Sequence, residues 1–136
     1  MDKELLAQID ALKDAEISSL PGCGLANLHP CGGRHNQFDA ELFTVDYTCS
    51  AGSSATKFVI GVRGIHSDGT GNHYREQSNA LVELDLDEGM SQTGQLKVFN
   101  YFRPPGEWAL QAYIMFRQDG GTFQTCAREE CTFDVE

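Results

Sequence analysis

Cys23, His29, Cys31 and His35 all fall between positions 23 and 35. They bring two thiols and two imidazoles into one glycine-bearing stretch, and these are the ligand types that zinc takes. A structural zinc site draws two close ligand pairs from two separate turns, and the short-knuckle spacing of such pairs is missing here. Disulfide bonding is the competing chemistry. Only four residues separate Cys126 from Cys131, so the spacing predicts a bond between them across a tight turn, with Cys23 to Cys31 as its companion. Five cysteines are an odd number, which leaves at least one thiol unpaired or joined to another chain.

Asp68, Asn72, Asp85, Asp87 and Glu88 carry oxygen atoms of the kind calcium accepts, but the run from Asp68 lacks the spaced carboxylates of an EF-hand loop. A solvated acidic face accounts for them. Serines and histidines occur without a G-x-S-x-G elbow, and no family signature surrounds a cysteine nucleophile. The chain is therefore expected to work by binding and not by turnover, with no cofactor and no metal. Twenty acidic against ten basic residues give a net charge of −10, which repels nucleic acid and anionic membrane surfaces. No apolar run approaches the roughly 20 residues that a membrane helix needs, so membrane insertion is not expected.

The elements that must position these groups are mostly strands. A length of 136 residues suits one domain around one core. Residues 1–20 read as an amphipathic helix: Leu5, Ile9 and Leu12 share a stripe, Lys3, Asp10, Lys13 and Asp14 fall largely off it, and Pro21 with Gly22 stops it. Positions 21–37 read as a loop bearing Cys, Gly and His, and 38–136 as a sandwich. Within the latter, Phe43, Val45, Tyr47 and Cys49 alternate with Leu42, Thr44 and Asp46. Phe58, Ile60 and Val62 mark a further strand, as do Val82, Leu84 and Leu86 against Glu83, Asp85 and Asp87.

Positions 95–102 differ, because Leu96, Val98 and Phe102 on one face are matched by Phe99 and Tyr101 on the other. Such a strand is either covered twice or exposes an apolar patch. Trp108, Leu110, Ala112, Ile114 and Phe116 alternate most regularly of all, and Asp119-Gly120-Gly121 turns that run into a returning arm. About seven short strands with no helix among them predict an all-β, immunoglobulin-like, two-sheet antiparallel sandwich preceded by the N-terminal helix.

The C-terminal order Gly94 to Leu96, Pro104-Pro105-Gly106-Glu107-Trp108, Asp119-Gly120-Gly121, Cys126 and Phe133-Asp134-Val135 resembles the MD-2-related lipid-recognition domains. Leu20-Pro21-Gly22-Cys23 with His29-Pro30-Cys31 is similar to the cysteine loop that precedes their first long strand. The resemblance implies a secreted two-sheet cup that takes a lipid between its sheets. Against that family, the sequence shows no cysteine pair near 85–91, and it is expected to lack a leader and to add an N-terminal helix.

Two functions follow as expectations. In the first, Phe58, Ile60, Phe102, Trp108, Leu110 and Ile114 line an apolar slot for a lipid or another apolar small molecule. In the second, the chain is a structural or assembly subunit of a virion, an appendage or a larger complex, docking on a protein partner or a further copy of itself. Leu5, Ile9, Leu12, Phe99 and Tyr101 would then form the interface, although the helix stripe is expected to find its cover on the chain's own sandwich near Phe99 and Tyr101. The compartment is extracellular if the cysteines are bonded, and intracellular or virion if the charged start Met1-Asp2-Lys3-Glu4 means that no signal peptide is present.

Overall fold

The computed structural model describes residues 22–36, 41–67, 74–100 and 105–136. The expectations for the 1–20 helix with Leu5, Ile9 and Leu12, and for Asp68, Asn72, Tyr101 and Phe102, lie outside these residues. Eight strands follow one another: β1 (Gly22–His29), β2 (Arg34–His35), β3 (Glu41–Ser50), β4 (Thr56–Ser67), β5 (Tyr74–Leu86), β6 (Ser91–Asn100), β7 (Gly106–Gln118) and β8 (Gln124–Val135). No helix occurs among the described residues. The strands form a three-stranded sheet in the order β1-β3-β6 and a five-stranded sheet in the order β2-β8-β7-β4-β5. Pairing is antiparallel except where the short β2 runs parallel to the end of β8.

The alternation along β3 and β7 sets the inner faces. Phe43, Val45, Tyr47 and Cys49 of β3 are buried against Phe58, Ile60 and Val62 of β4 and against Trp108, Leu110, Ala112, Ile114 and Phe116 of β7. Trp108 is 0% exposed, stacked on Phe133 at 5.9 Å and edge-on to Phe43 at 6.2 Å. Gly64 makes room for this aromatic group, since a Cβ there would stand 2.6 Å from Phe43 and 3.2 Å from Trp108. The turn between β7 and β8 forms at the expected place: Asp119 and Gly120 take positive φ (51° and 71°), and the Gly121 N–H donates to the Gln118 carbonyl at 2.9 Å. Asp tolerates that region because its short polar side chain bonds locally, and Gly has no Cβ to clash.

Two assignments change. The stretch 21–37 is not a loop throughout, because Gly22–His29 pairs with β3 from Gly22↔Ser50 to Ala26↔Asp46 as strand β1. Its inward Cys23 and Leu25 alternate with Gly24 and Ala26, residues with too little hydropathy contrast and too low a strand preference to show a period of two. The returning arm that follows Asp119-Gly120-Gly121 also runs on without a break to the end of the sandwich, as the single strand β8 from Gln124 to Val135. Its three consecutive charges, Arg128, Glu129 and Glu130, hide the alternation midway along a strand that continues pairing with β7.

Candidate functional site

All four of the cysteines expected to bond do so, with different partners. Cys23 bonds Cys126 and Cys31 bonds Cys131, with Cα separations of 5.9 and 5.5 Å. The expected Cys126–Cys131 and Cys23–Cys31 bonds are therefore corrected. Cys126 and Cys131 lie on one extended strand, where five residue steps span roughly 16 Å, far beyond the reach of a disulfide. A register shift between Thr125 and Ala127 places Cys126 at a bulge, and this lets both cysteines face the β1 side of the sandwich despite their odd spacing. The zinc alternative of Cys23, His29, Cys31 and His35 falls with the same observation, because both of its thiols are used in bonds to β8. Two long-range disulfides indicate an oxidising environment. No helix among the described residues is long and apolar enough to cross a membrane.

The fifth cysteine, Cys49, is an unbonded thiol buried in the core directly opposite Cys23 across β1 and β3. Burial in apolar surroundings disfavours the thiolate, and its pKa is pushed up to about 12. In the unfolded chain the thiol ionises near 9.0. Between those values the native state holds the extra proton. The favourable contribution of the buried neutral thiol is thus fully present below pH 9 and is lost progressively as pH rises toward 12. Native protein at pH 8 is expected to resist iodoacetamide at Cys49 and to react once unfolded in urea. Cys49→Ala should flatten the fall in urea stability above pH 9, and an equal fall in both proteins would contradict this account.

The residues expected to line an apolar slot divide in placement. Phe58, Ile60, Trp108, Leu110 and Ile114 are all fully buried in the two clusters between the sheets. Core packing accounts for their alternation without a ligand. The acidic positions Asp85, Asp87 and Glu88 are exposed, as a solvated face requires. Among the described residues no group of three or more His, Cys, Asp or Glu side chains is placed to hold a metal ion.

Phe99 is different, at 55% exposed. It sits on β6, which lies at the edge of the three-stranded sheet and pairs only with β3 among the described residues. Its direct cross-strand neighbour is Leu42. The strands of this sheet contain only Glu41, Asp46 and Lys97 as Asp, Glu, Lys or Arg residues, in a chain of net charge −10. Asp46 accepts hydrogen bonds from Asn27 Nδ2 at 2.8 Å and from Gln95 Nε2 at 3.2 Å. The Ser50 and Ser91 hydroxyls are 2.8 Å apart. Inside the same sheet the Tyr47 ring lies over Gly94, where any Cβ would collide with it. The result is a firm, weakly charged sheet in which β6 is an edge strand among the described residues.

The seventh PapD-like domain (ASH domain) of human CEP192 matches with a TM-score of 0.52 at 9% identity, over 92% of both chains. The fold the two share is a two-sheet β-sandwich. The sporulation control protein Spo0M from Bacillus subtilis matches with a TM-score of 0.44 at 11% identity, over 86% of this chain and 51% of that one. A β-glucosidase from Listeria innocua matches at 0.43 and 15% identity, over 82% of this chain and 16% of the enzyme. No family model and no curated protein matches the sequence. The resemblance to MD-2-related lipid-recognition domains extends as far as the immunoglobulin-like two-sheet architecture.

Proposed function

We propose that this PapD-like sandwich is a non-catalytic protein-interaction module, an assembly subunit that docks a neighbouring subunit along the β6 edge. The observation that carries this reading is Phe99, a large aromatic side chain more than half exposed on an edge strand. Edge strands in monomers are normally blunted by charge, proline or bulges, because their open N–H and C=O groups recruit another strand. β6 has one charge, Lys97, no proline, and an unbroken register with β3 from Ser91 to Asn100. An added strand would gain main-chain hydrogen bonds, and Phe99 would supply the aromatic anchor typical of an interface core. In the sequence this apolar face continues to Tyr101. The alternative of a lipid carrier draws no comparable support, since the core residues assigned to its slot are already packed against one another.

Sedimentation velocity tests the proposal. The wild-type chain is expected to associate as its concentration is raised into the range of about 100 μM, which corresponds to weak edge-strand contacts. Phe99→Asp is expected to remain monomeric with an unchanged melting temperature. Equal association by both proteins, or a wild type that stays monomeric throughout, would remove β6 as the docking edge.

A further inference from the structure

β5 and β6 lie on the same lateral side of the sandwich. β6 ends the three-stranded sheet and β5 ends the five-stranded sheet, and among the described residues neither has a second strand neighbour. The Cys23–Cys126 bond ties β1 to β8 and so closes the opposite side. Leu96 of β6 borders both inner clusters, the first together with Val82 and Leu84 of β5 and the second together with Ala80, so the two edge strands stand level and adjacent. The turn 87–90 leads directly from Leu86 to Ser91, and β5 and β6 therefore run in opposite directions. Val82, Leu84, Leu96 and Val98 point between the sheets, yet each is only half-buried.

The two edges differ in charge. On the outer face of β5, Glu83 and Asp85 are exposed, and exposed Asp87 and Glu88 follow in the turn. β6 contains no acid, and its one charge is Lys97, on the same outer face as Phe99. Two symmetric arrangements bring this lateral side of one copy against that of another. A two-fold axis normal to the sheets joins β6 to β6 and β5 to β5, which sets Glu83 and Asp85 of one copy against those of the other. Like charges facing each other across strands disfavour pairing. A two-fold axis along the strands joins β6 of each copy to β5 of the other instead. The opposite strand directions then make both seams antiparallel, and outer faces remain outer.

We propose that the docking partner is a second copy of this chain, in a two-fold dimer where β6 of each copy pairs antiparallel with β5 of the other. This inference rests on the β6 docking edge and names what docks there. Three strands of one copy continue into five of the other in each of the two joined sheets. Rotation about an axis along the strands preserves level, so Leu96 comes to lie beside Ala80 and Val82 of the second copy. Lys97 then falls beside Leu81 and one diagonal step from Glu83, within reach of a long side chain. Phe99 approaches the same Leu81 from the next outward position. The half-buried inward residues gain cover from their counterparts across each seam.

Two lysines read the arrangement. Lys57 lies on the outer face of β4, its Nζ 3.7 Å from Glu83 of the neighbouring β5, and Lys97 lies on the outer face of the other sheet. Within one chain they point in opposite directions from sheets about 10 Å apart, whereas in the dimer they share one continuous face at roughly 16 Å. In a mixture of isotopically labelled and unlabelled wild type at associating concentration, a short amine cross-linker is expected to join Lys57 to Lys97 between distinct chains. Association without that product, or with Lys97 joined to Lys97, would overturn the β6–β5 pairing and leave β6 as the docking edge. A wild type that stays monomeric would overturn both. Charge exchange is the second measurement, read by sedimentation velocity. Lys97→Glu and Glu83→Lys should each weaken association about tenfold, because every lost contact occurs twice in the dimer, and the two together should restore it. Losses that simply add in the double variant would overturn the pairing.

Discussion

Removing the Cys23–Cys126 bond, as Cys23→Ser with Cys126→Ser, is expected to cost about 2 to 5 kcal/mol of unfolding free energy. The bond joins residues 103 apart in sequence, and constraint of the unfolded chain grows with the length of the closed loop. At this chain length the melting temperature should drop by on the order of 10 °C. Both cysteines are replaced together because changing Cys126 alone would leave a reduced Cys23 opposite Cys49, and changing Cys23 alone would leave Cys126 as a free thiol. Urea denaturation reads the effect, and a loss below about 1 kcal/mol would be too small for a long-loop disulfide. Peptide mapping checks the pairing directly. Trypsin cleaves after Lys13, Arg34, Arg117 and Arg128, so Cys23 and Cys31 share one peptide while Cys126 and Cys131 separate. The observed pairing links all three peptides until a reductant is added. Local bonds within 23–31 and 126–131 would instead leave the 14–34 peptide on its own.

Trp108→Ala is expected to cost roughly 3 to 5 kcal/mol, the range for deleting a large aromatic side chain from a packed core. Trp108 touches both sheets through Phe43 and Phe133, and its ring is 5.3 Å from that of His66. Gly64 beneath this cluster has no side chain that could move in to fill the space. Far-UV circular dichroism in urea is the measurement, since the variant has lost its only tryptophan. Trp108→Phe should recover much of the loss by keeping an aromatic stack. A cost below about 1 kcal/mol for the alanine variant would mean that the site collapses or hydrates freely.

The parts of the fold legible in the sequence are those where hydropathy alternates with high contrast. β7 and its turn at Asp119-Gly120 are read from Trp108 to Phe116, and β3 from Phe43 to Cys49, because one face of each is strongly apolar. β1 escapes for the opposite reason, as Gly24 and Ala26 give its outer face no polar signature. Disulfide partners depend on which strands lie opposite across the sandwich, and spacing along one strand carries no such information. The second apolar cluster along β4 and β7, with Val59, Tyr113 and Met115, did leave a trace. Tyr113 and Met115 interleave with the inward residues of β7, so that strand is as apolar on both faces as β6, although only β6 shows the feature as an exposed side chain. Phe99 is legible as a candidate interface residue, but its place at a sheet edge depends on long-range strand order.

The two disulfides also determine how the domain bears a pull. Residues 23 and 31 are tied to 126 and 131 on the last strand, so each bond bypasses nearly the whole sandwich. Tension applied at the two chain ends passes from residue 23 through sulfur to residue 126, and the 103 intervening steps carry none of it. Roughly 350 Å of contour length is thereby locked away from extension. In a train of linked subunits this domain would act as a short inextensible link, holding its length while non-covalent contacts between neighbours give way first.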